Sequence, residues 1–190
     1  MIEEEIMSTV TQPITAEEFL AMDLGEGIHE LVRGEIVEMP PPMPEHGRIC
    51  FNAGFQLEAF ARPTKFGYVL SNDSAVPTER GPDTVRGADI CFYSEARWPR
   101  ERVGWELIPV LPDLVVEVYS PSNRPGEMRD KVYEYLRAGV MMVWVIHPSK
   151  RQLWVYRMDE LGPSVYSEND VVENLPELPG FHCVVSDFFA

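Results

Sequence analysis

Apolar residues fall into short blocks along the chain, and most blocks have the length of a β-strand. The clearest is Leu114-Val115-Val116-Glu117-Val118, in which four aliphatic residues surround one acid. Short apolar runs rich in β-branched and aromatic residues, bounded by glycine or proline, are typical of buried strands. The pattern predicts strands over residues 67–71, 88–93, 114–119, 140–146 and 153–156.

Helical periodicity is present in three segments. Thr15 and Glu18 match the capping-box pattern and predict a short helix that ends near Met22. Apolar residues recur every three or four positions over 46–62, which predicts a long helix with one buried stripe. A third helix is predicted to end at Gly139. We assign its cap to Asn123 or Arg124, with Pro125 near the first helical position.

A hairpin and a proline-rich loop separate the first two predicted helices. Residues 28–32 and 35–39 read as strands joined by a turn at Arg33-Gly34. Prolines then end the second strand and form a stiff loop, at positions 40, 41, 42 and 44. The core order is helix, three strands, helix and strand, with additional β-hairpins. This order predicts an α/β fold in which α and β elements pack on one mixed sheet.

Length and composition favour a single domain. The chain has 190 residues, of which 45% are hydrophobic, as expected for one globular core. We expect residues 1–13 to be disordered and residues 14–190 to form the domain. No apolar run approaches the roughly 20 residues of a membrane helix, and the acidic start does not match a signal or transit peptide.

The three cysteines give no disulfide framework and no zinc-binding spacing. Cys50, Cys91 and Cys183 are scattered and lie in apolar surroundings. We interpret them as reduced core residues, which predicts a cytoplasmic protein.

The formal net charge of −15 argues against nucleic acid as a substrate. Affinity for DNA comes largely from lysine and arginine side chains that neutralise phosphates, and an acidic surface repels DNA at long range. The objection weakens if some of the acids are metal ligands, or if a local basic groove coexists with the negative total.

Two acids on strand-like segments are the strongest candidates for chemistry. A carboxylate inside a buried strand must be paired, protonated or bound to a metal. If the strands of Asp89 and Glu117 pair antiparallel, side-chain alternation puts both acids on the same face and at the same end of the sheet. Two such carboxylates can hold Mg²⁺ or Mn²⁺.

Each candidate also has a structural interpretation. Glu117 can be a core carboxylate paired with an arginine, and Asp89 can simply end a loop. Lys131 lies at the flank of the third helix's apolar stripe, from which it could face the two acids. It could instead pair with Glu127 and Glu134 on the solvent face.

Several motifs in fixed order carry a resemblance to a known family. The string Pro112-Asp113-Leu114-Val115-Val116-Glu117-Val118-Tyr119-Ser120-Pro121-Ser122 is followed by Lys131, Tyr135, Ala138-Gly139-Val140, Trp144-Val145-Ile146 and Pro148. Upstream lie His29-Glu30-Leu31-Val32-Arg33-Gly34-Glu35, Met39-Pro40-Pro41 and His46. From about Thr15 onward, the chain resembles the Uma-two family of proposed restriction endonucleases, within the PD-(D/E)XK nuclease superfamily.

The resemblance implies a restriction-endonuclease-like core and a metal-dependent site. It makes Asp89 and Glu117 the metal-binding acids, with Glu30 as a further acidic ligand. Tyr119 stands where the superfamily pattern has its lysine, and Lys131 is the natural replacement. His46 is implied as a more peripheral site residue. The chain departs from the family's usual residues at Ala88, which replaces a proline, and at His147, which replaces an aspartate.

Among the remaining basic residues, Arg124 and Arg129 lie closest to the candidate site and are predicted to bind phosphate. The segment 97–105 mixes bases with aromatics, but it joins the far ends of the acid-bearing strands, so we interpret it as a surface loop.

The residues and the resemblance together predict a Mg²⁺- or Mn²⁺-dependent endonuclease that hydrolyses nucleic acid, with DNA favoured. The resemblance also implies a homodimer. Two other interpretations stay open, a non-catalytic regulator that binds nucleic acid or protein on a nuclease-like scaffold, and a hydrolase of small phosphoesters.

Overall fold

The computed structural model describes residues 12–121, 123–124 and 126–190. Most of the segment predicted to be disordered, and Pro125 of the predicted helix start, lie outside the described residues. The helices are α1 (Ala16–Ala21), α2 (Pro44–Thr64) and α3 (Glu127–Ala138). The strands are β1 (Ile28–Val32), β2 (Glu35–Met39), β3 (Gly67–Glu79), β4 (Thr84–Ser94), β5 (Leu114–Val118), β6 (Met142–His147), β7 (Gln152–Tyr156), β8 (Ser164–Ser167), β9 (Val171–Glu173) and β10 (His182–Val184).

One mixed, eight-stranded sheet organises the molecule. Its strand order is β2-β1-β4-β5-β6-β7-β8, and β3 also pairs with β4. The strands β5 and β6 are parallel, with α3 as their crossover, whereas the other pairs in this sheet are antiparallel. The predicted core order of helix, three strands, helix and strand is confirmed as α2, β3, β4, β5, α3 and β6.

The two faces of the sheet bury different helices. Side chains of α2 pack with alternate residues of β4, β5 and β6, and with Phe181 and Phe188 from the end of the chain. The opposite face packs against α3, through residues that include Val115 and Tyr135. Alternation therefore sends Glu117, two positions after Val115, toward the α3 face of β5. The predicted α/β sandwich is confirmed.

A gap beside β4 creates the space for a site. Because β3 pairs with one edge of β4 along its whole length, β1 and β5 must share the other edge. Leu31 of β1 pairs with Val85, and Val116 of β5 pairs with Ile90. Between these two pairings this edge of β4 is open, and the N–H and carbonyl of Gly87 hydrogen-bond there to the side chains of Glu30 and Lys131.

Several predicted boundaries were wrong. The strand predicted over 67–71 continues to Glu79, because a bulge absorbs the polar residues between Ser71 and Ser74. The helix α2 begins at Pro44, where proline occupies its first turn. The helix α3 begins after Gly126, not after Asn123, whose side chain instead accepts a hydrogen bond from the Ser120 N–H.

Two further features concern the chain beyond the core. The segment after β7 contains β8, β9 and β10 and closes with a 3₁₀ helix whose Phe188 is fully buried. Within the described part of the chain, no helix has the length and apolar character that a membrane span requires.

Candidate active site

A cavity of about 490 Å³ opens over the gap beside β4. Its wall combines side chains from β1, β3, β4, β5, α2 and α3, together with prolines of the loop before α2. The titratable groups among the lining residues include Glu30, His46, Asp73, Arg86, Asp89, Glu117, Arg124 and Lys131. A single pocket therefore collects most of the residues predicted from the sequence.

The strand register brings Asp89 and Glu117 together. Ile90 pairs with Val116 in antiparallel register, so continuing by one residue places Asp89 beside Glu117. The backbone N–H of Val118 donates a hydrogen bond of 2.7 Å to Asp89 Oδ2, which fixes that carboxylate at the end of β5. Both acids line the cavity, as the alternation argument predicted.

Lys131 reaches this pair from α3. Its Nζ lies 3.0 Å from Glu117 Oε1 and 3.1 Å from Glu30 Oε1, and it donates a 3.1 Å hydrogen bond to the carbonyl of Gly87. Three acceptors thus match the three protons of the ammonium group. Lys131 does not face solvent. Of its two alternative partners, Glu134 pairs with Arg86, and Glu127 accepts a hydrogen bond from the Arg124 N–H.

Glu30 holds the surrounding groups in place. Its Oε1 accepts hydrogen bonds from the Gly87 N–H and faces Lys131, while its Oε2 is 2.9 Å from an Arg86 nitrogen. Arg86 continues the chain of contacts to Glu134. Because both of its carboxylate oxygens are engaged, Glu30 holds the charged side chains of Lys131 and Arg86 in place. Its role as a metal ligand stays a prediction.

The buried position of Glu117 changes its chemistry. Burial raises the pKa of this carboxyl to about 7, although the Lys131 charge pulls in the opposite direction. Burial disfavours the charge on Lys131, but Glu117 and Glu30 outweigh that effect and hold the pKa of the ammonium group above its usual value. The hydroxyl of Tyr135 donates a 2.8 Å hydrogen bond to Glu117 Oε1, so the carboxylate is oriented by two groups of α3.

His46 approaches the site from the other side of the cavity, on α2. Its Nε2 lies 3.2 Å from Asp89 Oδ2, and this contact raises the pKa of the imidazole. The resemblance implied a more peripheral position for His46, whereas the structure places it in direct contact with the acid on β4, and its role at the site stays a prediction.

Asp73 was missed by the sequence interpretation. It lies in the β3 bulge with a positive φ of 54° and lines the same cavity. Burial, followed by repulsion from Asp89, raises the pKa of its carboxyl. The signal was the Asn72-Asp73 pair inside a strand pattern, since these residues tolerate left-handed backbone and often mark bulges or turns.

Of the other residues considered in the sequence, some line the cavity and others lie away from it. Arg124 is exposed and lines the cavity. Arg129 is not a lining residue, and its largely exposed side chain lies 3.6 Å from Asp130. Tyr119 stacks on His147, with ring centroids 5.0 Å apart. Arg97 pairs with Asp113, at the opposite end of β5, so the aromatic-basic loop is remote from the site as expected.

Fold and site together define a nuclease-like mixed α/β protein with a buried acid–lysine cluster. A family model named Uma2, described as "Putative restriction endonuclease", matches residues 16–186. The chain therefore belongs to the Uma2 family.

The fold is similar to a solved structure. The crystal structure of a protein from Anabaena variabilis, described as "a putative nuclease belonging to DUF820", matches with a TM-score of 0.77 and 24% identity, over 93% of this chain and 98% of that one. At that identity the similarity shows the fold alone. The comparison with curated proteins gives no match.

Proposed function

We propose that this protein is a metal-dependent endonuclease that hydrolyses phosphodiester bonds of nucleic acid, with DNA as the favoured substrate. One observation carries the proposal, which is the meeting of Asp89, Glu117 and Lys131 in a single cavity. Membership of a family described as "Putative restriction endonuclease" supports the same reaction class.

The two acids fit a hard divalent cation. Asp89 uses Oδ2 and Glu117 uses Oε1 for the contacts described above, and no hydrogen bond to Asp89 Oδ1 or Glu117 Oε2 is found among the described residues. Carboxylate oxygens are the ligands that Mg²⁺ and Mn²⁺ prefer. Asp89 and Glu117 would hold the cation, and Glu30 is the candidate for a further ligand if Lys131 moves.

The side chains around the two acids would have distinct catalytic and positioning roles. A bound divalent cation would supply Lewis-acid activation of water and stabilise charge on the phosphate. Lys131 stays protonated beside Glu117 and can donate a hydrogen bond to a phosphate oxygen or to the attacking water. Tyr135 and Glu30 position these two groups, because each is hydrogen-bonded or ion-paired to one of them.

Substrate binding is assigned to the exposed side of the cavity. We propose that Arg124 contacts the phosphate backbone at the mouth and that Arg129 contacts it farther along α3. His46, close to Asp89, is proposed to contact the phosphate next to the scissile bond. These few basic side chains must attract nucleic acid against a net charge of −15. The affinity for nucleic acid should therefore fall steeply as the salt concentration rises.

The same net charge favours a second candidate, a hydrolase of small phosphoesters. A small ester needs no extended basic groove and fits a cavity of this volume. A non-catalytic binding role on this scaffold is the other alternative to turnover.

The proposal is tested by measuring cleavage of plasmid, RNA and a small phosphodiester by the same protein sample, in the presence of each metal and in EDTA. We expect nicking of supercoiled plasmid at low salt in Mg²⁺ or Mn²⁺ and none in EDTA. Cleavage of bis(p-nitrophenyl) phosphate without any nicking of plasmid or RNA would replace the nuclease with a small-ester hydrolase. Binding of plasmid without turnover in either metal would favour the regulator.

A further inference from the structure

A second donor set borders the candidate active site on its α2 wall. His46 and Cys50 are four residues apart on α2, so they share one face of that helix. Together with Asp89 of β4, they offer ligand atoms that all lie within 4.8 Å of one another. It is the single group of this kind that the described residues form.

The spacing within this set suits a tetrahedral cation. Cys50 Sγ lies 3.5 Å from His46 Nδ1. Zinc bonds of about 2.3 Å to sulfur and about 2.0–2.1 Å to imidazole nitrogen imply a ligand separation of roughly 3.5 Å at a tetrahedral angle. The other ring nitrogen, Nε2, lies 3.2 Å from Asp89 Oδ2, so the imidazole stands between the thiol and the carboxylate. A cation takes only one of these two nitrogens, and one ligand atom each from His46, Cys50 and Asp89 lie within 4.8 Å of one another.

Ligand chemistry separates this set from the two-acid site. Magnesium prefers oxygen ligands alone, whereas thiolate and imidazole ligands select zinc and related cations. Cys50 is half-buried beside a cavity that also reaches Asp89 and His46, so a cation from solvent can reach its sulfur. Cys91 and Cys183 are both buried in the core and belong to no such set in the described part of the chain.

We propose that His46, Cys50 and Asp89 form a binding site for a thiophilic divalent cation of the zinc class. Three protein ligands leave a fourth position for solvent, as in open zinc sites. Because Asp89 belongs to both sites, occupation by zinc removes a ligand from the proposed Mg²⁺ or Mn²⁺ site. This antagonism rests on the proposed function, whereas zinc binding itself does not.

Binding is tested first, without reference to activity. The protein is titrated with Co²⁺ and followed by thiolate-to-cobalt charge-transfer absorption, and Zn²⁺ affinity is measured by competition with a chromophoric chelator. We expect the absorption band in the wild type and in the control Cys183→Ala, and its loss in Cys50→Ala with an affinity for zinc lower by about tenfold or more. His46→Ala should weaken zinc binding similarly, and circular dichroism checks that each variant is folded. Equal zinc affinity of Cys50→Ala and wild type would overturn the site.

Antagonism is tested second, by plasmid nicking in Mn²⁺ with added Zn²⁺. Zinc should suppress nicking by the wild type and by Cys183→Ala at concentrations that leave Cys50→Ala active. Equal inhibition of Cys50→Ala would mean that zinc acts at the two acids and would overturn the antagonism. If cobalt and zinc bind through Cys50 but no variant nicks DNA in any metal, the zinc site stands and the proposed nuclease function falls.

Discussion

At the residue scale, the site depends on one buried ammonium group that faces two carboxylates. Lys131 stabilises Glu117 and Glu30 together, and Arg86 supports Glu30 from the other side. Breaking a buried ion pair by removing one partner is more damaging than replacing the pair, because the remaining charge stays desolvated. Lys131 is therefore expected to matter for stability as well as for chemistry.

The variant Lys131→Met should lower the free energy of unfolding by roughly 3 kcal/mol in EDTA, measured by urea denaturation. Protonation of Glu117 can relieve the unpaired charge, and since its pKa is about 7, the loss should be larger above pH 7 than below it. The exposed variant Lys150→Met serves as the control. A loss no greater than that of the control would show that the contacts of Lys131 carry little stability.

His147 gives a pH-dependent stability that is independent of the site. Burial, helped by the Lys150 charge, lowers the pKa of this imidazole from 6.5 to about 4, and its Nε2 is buried without a hydrogen-bond partner in the described structure. The unfolded state therefore binds a proton at a higher pH than the folded state does. The contribution of His147 to the free energy of unfolding is fully present above pH 6.5, and it is lost as the pH drops from 6.5 toward 4.

We expect His147→Phe to remove that part of the pH dependence while keeping the ring against Tyr119 and Trp154. Each pKa unit corresponds to about 1.4 kcal/mol, so the difference between variant and wild type should be measurable by thermal melts across this range. The exposed His182→Gln is the matched control. Parallel pH profiles for His147→Phe and wild type would refute the assignment.

Residue-level prediction from sequence succeeded where local geometry determines position. The shared face of Asp89 and Glu117 follows from strand alternation and antiparallel register, so it could be predicted. Whether Lys131 faces the acids or solvent depends on how α3 rotates on the sheet, and the sequence left both possibilities open. Asp73 and Cys50 reach the site only because β3 and α2 pack beside β4, and sequence spacing contains no such information.

At the element scale, β3 and β4 form the longest strand pairing among the described residues and border the site. Only the first part of β3, residues 67–71, was predicted as strand, because the polar run Asn72-Asp73-Ser74 follows it. Those residues suit the bulge, with Asn72 and Asp73 at positive φ, and the pairing of flanking residues compensates for their low strand propensity. The bounds of the β1–β2 hairpin agree with the prediction, because the two apolar runs and the Arg33-Gly34 turn between them are visible in the local sequence.

A pair of glycine substitutions tests how tightly β3 and α2 are packed. A Cβ at Gly67 would overlap the Tyr93 carbonyl oxygen and the Phe92 ring, whereas a Cβ at Gly47 meets nothing within 4 Å. Gly67→Ala should therefore destabilise the protein by about 1–3 kcal/mol through overpacking. Gly47→Ala, in a helix, should stabilise it by roughly 0.5–1 kcal/mol. Equal effects of the two variants in urea denaturation would contradict this description of the packing.

At the scale of the whole molecule, acids outnumber bases by 31 to 16, yet the cavity gathers Arg86, Arg124 and Lys131 among its acids.

The fold class could be predicted because element order and apolar periodicity are properties of the chain itself. The division into a disordered segment and one domain stays a prediction. So does the homodimer, for which the exposed side chains of α2 suggest a surface.

That surface is a row of apolar residues on the outer side of α2 and at its start, with Met43, Phe51 and Phe55 exposed by 59%, 71% and 59%. If two copies associate through it, the double variant Phe51→Ser and Phe55→Ser should halve the mass measured by light scattering after size-exclusion chromatography. Trp105→Ser changes a fully exposed aromatic elsewhere and should leave the mass unchanged. A wild-type mass of one chain would rule out the dimer at the concentration used.

We propose the Asp89–Glu117–Lys131 cluster as a metal-dependent hydrolytic site, and a comparison of two buried acids of the same segment tests this proposal. Plasmid nicking in Mn²⁺ is measured for wild type, Glu117→Ala and Asp113→Asn, because Asp113 is also buried but pairs with Arg97 at the opposite end of β5. We predict that Glu117→Ala loses cleavage while it keeps its fold, and that Asp113→Asn loses stability but retains cleavage. Nicking by Glu117→Ala at the wild-type rate would show that Glu117 is not part of a catalytic metal site.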